Sequence, residues 1–231
     1  MKPLAIVTGV GPGTGSAMAR RFHDGGYRVA MIARNAERLE KLARDLPDSF
    51  AAPCDVSDSA SLKSTLDGIG QRAGVPKVVI HNAVGGAFGS FLDISPDILE
   101  RNFQVNVMAL LHLARWAAPQ MTADGGALIA TGNTSALRGK ANFAGFAPTK
   151  AAQRILAESI AREMGPKGVH VAYIVIDAVI DLAWTRERFK GRGDDFFIKP
   201  SAIADEAWHL AHQPRSAWSF LAEIRPFGES W

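Results

Sequence analysis

Four glycines fall within seven residues, Gly9, Gly11, Gly13 and Gly15, between the apolar run Leu4-Ala5-Ile6-Val7 and a segment patterned as a helix from Ser16 to Phe22. A strand, a tight turn and a helix start leave backbone N–H groups free at the new helix N-terminus. Glycine places no Cβ between those groups and a ligand, so a pyrophosphate suits such a turn. The spacing, Thr8-Gly9-x-x-x-Gly13-x-Gly15, is not the G-x-G-x-x-G dinucleotide fingerprint, and taken alone the turn serves equally well as close strand-to-helix packing without a ligand. Further polar residues close later apolar runs: Arg34, Asp55, Asn82, Asn133 and Asp177. If those runs are parallel strands, these side chains converge on one crevice at the strand C-terminal ends.

The elements that would position them alternate along the chain. Arg28 to Ala33 reads as a second strand, followed by a helix capped by Asn35 with Leu39, Leu42, Ala43 and Leu46 at helical spacing. Phe50 to Cys54 is a third strand, ending in Asp55-Val56, and Leu62, Leu66 and Ile69 mark the next helix. Val78-Val79-Ile80 is a continuous apolar run, the pattern of a central strand covered on both faces, and leads into His81-Asn82-Ala83. Ser95-Pro96 opens a long helix to about Met121 that contains Asn106. Gly126 to Thr131 is the fifth strand, Gly145 to Met164 a helix, Val169 to Ile176 the sixth strand, Ser201 to His212 the last helix and Ala217 to Ile224 the last strand. Residues 177 to 199 break the rhythm and read as a flap on the substrate side. The alternation predicts an α/β fold: a doubly wound parallel sheet of Rossmann type, with helices on both faces, spanning residues 1–231 as one domain.

Composition narrows the classes. The 231 residues are 47% hydrophobic with a net charge of +3, long enough for a full core and without the basic block or arginine stripe of a nucleic-acid surface. The single cysteine, Cys54, excludes an internal disulfide, and no apolar run reaches signal or transmembrane length, so the expected setting is cytoplasmic, away from a membrane. His209 and His212 share a helix face, but with no third ligand in view they read as helix polars, and no metal site is expected.

With these positions set out, the chain resembles the short-chain dehydrogenase/reductase family over almost its whole length. The resemblance rests on Thr8-Gly9-x-x-x-Gly13-x-Gly15, Asp55-Val56, Asn82-Ala83, Asn106-Val107 and Lys150-Ala151-Ala152. It implies NAD(P) binding, the strand order 3-2-1-4-5-6-7, and a cofactor site drawn from Thr8, Gly9, Gly13, Thr14, Gly15, Arg34, Asp55, Val56, Asn82, Ala83 and Lys150. It also implies a catalytic group at Asn106, Asn133, Phe146 and Lys150, of which only Asn106 and Lys150 keep the family's residue. The family's Tyr-x-x-x-Lys reads Phe146-Ala147-Pro148-Thr149-Lys150, and Asn133 stands where the family has serine. The family's tyrosine passes a proton to or from the substrate oxygen, its pKa lowered by the lysine, which also holds the nicotinamide ribose. Phenylalanine cannot do this. The chain therefore resembles a divergent branch, with further departures at Thr14, His81, Val84, Asp177-Ala178 and Leu182.

Two readings follow. One is an NADP(H)-dependent oxidoreductase acting on an unidentified small molecule, its proton drawn from water or an unfamiliar residue; Asp177 is a candidate acid, or else a cap or turn residue. The other is a catalytically silent sensor or partner protein that binds NADP. NADP(H) is expected over NAD(H) because Arg34 follows the second strand, and no carboxylate stands at residues 33–35 to bind a ribose diol. The resemblance also implies a homodimer or homotetramer packed through the two long helices. Ala114, Ala117, Ala118, Ala151 and Ala152 would permit close helix approach there, or would face the sheet.

Overall fold

The computed structural model describes residues 2–228. In chain order the elements are β1 (Leu4–Thr8), α1 (Thr14–Asp24), β2 (Arg28–Ala33), α2 (Ala36–Asp45), β3 (Phe50–Pro53), α3 (Ser59–Ala73), β4 (Pro76–His81), α4 (Pro96–Phe103) and α5 (Ala109–Met121). There follow β5 (Gly126–Asn133), α6 (Ala147–Met164), β6 (Val169–Ile176), β7 (Val179–Ile180), α7 (Ala183–Arg188), β8 (Phe197–Ile198), α8 (Pro200–Ala211) and β9 (Leu221–Ile224). Asn35 caps α2 through Arg38 N–H, and Asp58 caps α3 through the N–H groups of Ala60 and Ser61.

Seven strands form one parallel sheet in the order β3-β2-β1-β4-β5-β6-β9. Its last strand is the ninth of the chain because residues 177–199, expected as an irregular flap, carry their own parallel pair, β7 with β8, and the short α7. The two-residue period of the strands builds two cores. Leu4, Ile6, Leu128 and Tyr173 face α3, α5 and α6, while Ala5, Val7, Ile129 and Ile174 face α1, α2 and α8. Each fully buried aliphatic side chain contributes about 1.5–3 kcal/mol, which makes the sheet a stiff platform for groups at its edge.

Boundaries shift in ways that bear on the site. The helix expected over residues 95–121 runs through, but as α4 and α5 joined by a π-helical turn, Gln104–Met108, centred on Asn106. One extra residue per turn widens the backbone there. Helix α6 starts at Ala147 rather than Gly145, so Phe146 is its N-cap, with φ −125° and ψ −55°, and not a helical residue. The last strand begins at Leu221 rather than Ala217, because Ala217 N–H closes a turn on the Pro214 carbonyl and the Gln213 side chain holds Ser219. Ala114, Ala117 and Ala118 are buried against the sheet, which leaves them no part in helix packing between subunits.

Candidate active site

The ends of β1, β4 and β5 lie side by side and are stitched together by short polar side chains. Thr8 Oγ1 accepts from the N–H groups of Asn82 and Ala83 at 3.1 and 3.2 Å and lies 3.1 Å from His81 Nδ1. The opposite ring nitrogen of His81 is 3.1 Å from the Val105 carbonyl. These partners select one tautomer: Nε2–H donates to Val105 and Nδ1 accepts the Thr8 hydroxyl proton. Burial, together with the nearby charge of Lys150, holds the imidazole neutral and pulls its pKa down to about 3. Asn82 donates to the Gly9 carbonyl at 3.1 Å and accepts from Thr131 Oγ1 at 3.1 Å, so it ties the glycine turn to β5. Asn82 and Ala83 thus serve the turn from below.

Gly9 has φ +69°, and a Cβ there would stand 2.5 Å from Ala83 N. A Cβ on Gly15 would run into the Gly9 carbonyl, whereas one on Gly11 would meet nothing. Helix α1 starts from Gly13 without a side-chain cap or an acid in its first turn, where Thr14 and Gly15 are buried. Its first N–H groups therefore have no capping side chain among the described residues and suit an anion. Leu182, from the 177–199 segment, lies directly over Gly13, where a Cβ would stand 2.5 Å from Leu182 Cδ2.

Away from the turn, Arg34 is exposed at the end of β2, and its charge acts on Asp55 beyond β3. Burial pushes the Asp55 carboxyl up, but hydrogen bonds from Ser57 N–H and Oγ, with Arg34 and Arg101, hold it below its ordinary value. Val56 beside it is buried.

Asn106 is fully buried in the π turn. Its side chain accepts from Gly85 N–H at 3.0 Å and donates to the Gly85 carbonyl at 2.7 Å and to Thr149 Oγ1 at 2.8 Å. Lys150 is 3% exposed, and its Nζ donates to the Thr131 carbonyl at 3.0 Å and to Gln153 Oε1 at 2.9 Å. No carboxylate pairs with it among the described residues, and burial pulls its amine down to about 7. Phe146 lies one turn before it, with the ring centre 6.0 Å from Nζ. That ring packs edge-on to Phe88 at 5.6 Å, and Phe88 packs on Phe143 at 5.0 Å, forming an aromatic wall.

Asn133 and Asp177 are committed elsewhere. Asn133 Oδ1 accepts from Ser135 N–H at 3.1 Å, capping the short 3₁₀ turn Thr134–Ala136, which leaves its amide nitrogen as the donor for a ligand. Asp177 lies 3.5 Å from Arg225, and its N–H bonds the Ile224 carbonyl, so it closes the β6–β9 edge and is no acid aimed at the cleft. The 177–199 segment is clasped by Arg186, which bonds both carboxylate oxygens of Asp181 at 2.6 and 2.7 Å and Asp194 at 2.7 Å while lying over the Phe197 ring. His212 bonds the Tyr27 hydroxyl and the Trp208 carbonyl.

Three polar residues that the sequence reading passed over belong to the same cluster: Thr149, Gln153 and Tyr173. The signal was present, since Gln153 stands on the buried stripe Lys150, Gln153, Ala157, Met164 of α6, where packing alone asks for an apolar side chain.

A seven-stranded parallel sheet with a glycine turn after its first strand, and with an asparagine and a lysine brought together at its C-terminal edge, defines a nucleotide-binding α/β protein of the dehydrogenase class. The family model for short chain dehydrogenase matches residues 3–188, and the chain belongs to that family. D-erythrulose reductase from Gallus gallus is 31% identical over 169 residues, 72% of this chain and 67% of the relative. An alcohol dehydrogenase from the archaeon Thermococcus sibiricus, solved with 5-hydroxy-NADP, superposes with a TM-score of 0.88 at 25% identity, covering 99% of this chain and 98% of that one. A metagenomic short-chain oxidoreductase in complex with NADP gives a TM-score of 0.85 at 27% identity, with 97% of each chain covered.

Proposed function

We propose that the protein is an NADP(H)-dependent oxidoreductase acting on a small molecule through a site with a reduced set of proton-handling groups. The observation that carries the reading is Lys150, a lysine buried at the strand edge with no carboxylate beside it. Burying an ammonium without a counter-charge costs several kcal/mol, and a group kept at that cost points to a ligand that uses it. The residues present fit a dinucleotide: the uncapped first turn of α1 with Thr14 and Gly15 for the pyrophosphate, the open face at Gly11, Arg34 for a 2′-phosphate, Asp55 and Val56 beside the adenine end, and Lys150 for the nicotinamide ribose.

When bound, NADPH supplies a hydride. The chain's own part is to orient and to exclude water. Asn106, by bonding Gly85 twice, fixes the loop after β4 that borders the cleft. Phe146 and Phe88 present an apolar wall that holds no proton, and the Asn133 amide nitrogen is the donor left to polarise a substrate oxygen. Lys150 is the ionisable group nearest Phe146 in this cluster and can release or hold a proton near neutral pH. The chain would act as a homodimer or homotetramer through α4, α5 and α6, where Ile98 and Ile155 stand exposed.

The test is deuteride transfer from labelled NADPH to a panel of carbonyl, imine and enone substrates, alongside calorimetry with NADPH. Label in product supports the reductase. Tight NADPH binding without label in any product would make this a silent NADP-binding sensor or partner protein instead.

A further inference from the structure

Gln153 is fully buried, and every polar atom of its side chain is used. Its Nε2 donates to the Asn106 carbonyl at 2.8 Å, while its Oε1 accepts from Lys150 Nζ at 2.9 Å and from the Tyr173 hydroxyl at 3.1 Å. The orientation of the amide is forced. A flip would set its NH₂ against an ammonium and leave its oxygen facing a carbonyl. One side chain therefore joins the first turns of α6 to the π turn at Asn106 and to β6. Tyr173 can reach it only because residue 132 is glycine, where any Cβ would overlap the phenol ring.

With Thr131 and Gln153 as its acceptors, Lys150 has two of three N–H groups engaged and one left over. The groups around it on the surrounding elements are the neutral His81 on β4, which feels its charge, the Thr131 carbonyl on β5, which accepts from it, and, through Gln153, the Tyr173 phenol on β6 and the Asn106 carbonyl in the π turn. None carries a negative charge near neutrality, since burial raises the Tyr173 phenol well above its usual range. Within α6, Arg154 acts on Tyr173 and adds no anion.

We propose that Gln153 is the positioning residue of this site, an uncharged anchor that stands in for a carboxylate and holds Lys150 so that its remaining N–H is presented to a ribose hydroxyl. The ribose part rests on the proposed cofactor; the anchoring does not. A carboxylate at this place would lock the lysine in its charged form, whereas an amide holds its position and leaves the amine free to change charge near pH 7.

The experiment titrates Lys150 directly, in the cofactor-free protein, by NMR of ¹³C-labelled lysine side chains, with the signal assigned through Lys150→Met. Removing the acceptor in Gln153→Leu should lower the midpoint by about one pH unit or more, and Gln153→Glu should raise it by a similar amount. Gln153→Met, closer in length, serves in the same way if the leucine variant does not fold. In parallel, NADPH affinity at pH 6.5 should fall about ten-fold or more in Gln153→Met, as expected for a lost hydrogen bond to a charged group. A residue that merely filled space would change the melting temperature and leave the Lys150 midpoint alone, and an unmoved midpoint in a folded variant overturns the proposal. If the midpoint moves but the unaltered protein binds no NADPH, the anchoring stands and the cofactor reading falls.

Discussion

Restoring the missing hydroxyls tests the site most severely. Phe146→Tyr with Asn133→Ser adds a phenol to a ring whose centre is already 6.0 Å from Lys150 Nζ. With the ring-centre distance as a guide to the separation, a unit charge in an effective dielectric of about 20 favours the phenolate by about 3 kcal/mol, or roughly 2 pH units, while Lys150 is protonated. Burial opposes this, because the Phe146 position is only 6% exposed and lined by Phe88, and Lys150 loses its charge before the phenol ionises, so the introduced phenol should titrate at about 10 or above. The charge that lowers it is itself pH-dependent: it is full below about 7, where Lys150 is protonated, and fades above. A positioned general acid is worth about 10²–10⁴ in rate, roughly 3–5 kcal/mol at 1.36 per decade. Ketone reduction with NADPH should therefore appear or rise by that order in the double variant, with NADPH affinity nearly unchanged. The assay is steady-state reduction across the carbonyl panel from pH 6 to 9, with the phenol followed by ultraviolet difference titration. The hydroxyl could cost about 1–3 kcal/mol of stability if it finds no partner in the aromatic wall, so thermal melts accompany the kinetics. A folded, NADPH-binding double variant with no reduction of any substrate would refute the reasoning and place the lesion in the wider site, at Val84 and Leu182.

Arg34→Asp should reverse the preference for NADPH over NADH, read as the ratio of calorimetric Kd values; equal affinities in the unaltered protein would remove Arg34 from the cofactor site. His81 is held neutral, with its folded pKa depressed to about 3, so it supports the fold above about pH 6.5, its unfolded value, and loses that support as pH falls toward 3. Acid unfolding should be less steep in His81→Asn, by up to about 1.4 kcal/mol per pH unit across that window; an unchanged slope by urea titration at stepped pH contradicts the assignment. Light scattering at micromolar concentration should give two or four times the chain mass, and Ile155→Arg on the exposed face of α6 should shift it toward one; a monomeric mass for the unaltered protein ends the oligomer proposal.

The amino-acid sequence by itself determined the architecture. Continuous apolar runs such as Val78-Val79-Ile80, helical spacing such as Leu62, Leu66 and Ile69, and the glycines at residues 9 to 15 are local signals, read by period and steric freedom without knowledge of distant contacts. They located the sheet, its edge and the turn at that edge, whereas the helix start that makes Phe146 an N-cap came only from the structure. What only the tertiary structure decided depends on partners far apart in the chain. Asp177 is paired with Arg225, forty-eight residues later, and is not the free group its position suggested, while the Asn133 oxygen also caps a neighbouring turn. The extra strand pair in residues 177–199 lies beside a clasp in which Arg186 gathers Asp181 and Asp194, an arrangement with no periodic signature. Gln153 became visible as more than a helix residue once folding set it against Asn106, Lys150 and Tyr173. A buried amide has meaning only through the donors and acceptors it meets, and those come from three different elements.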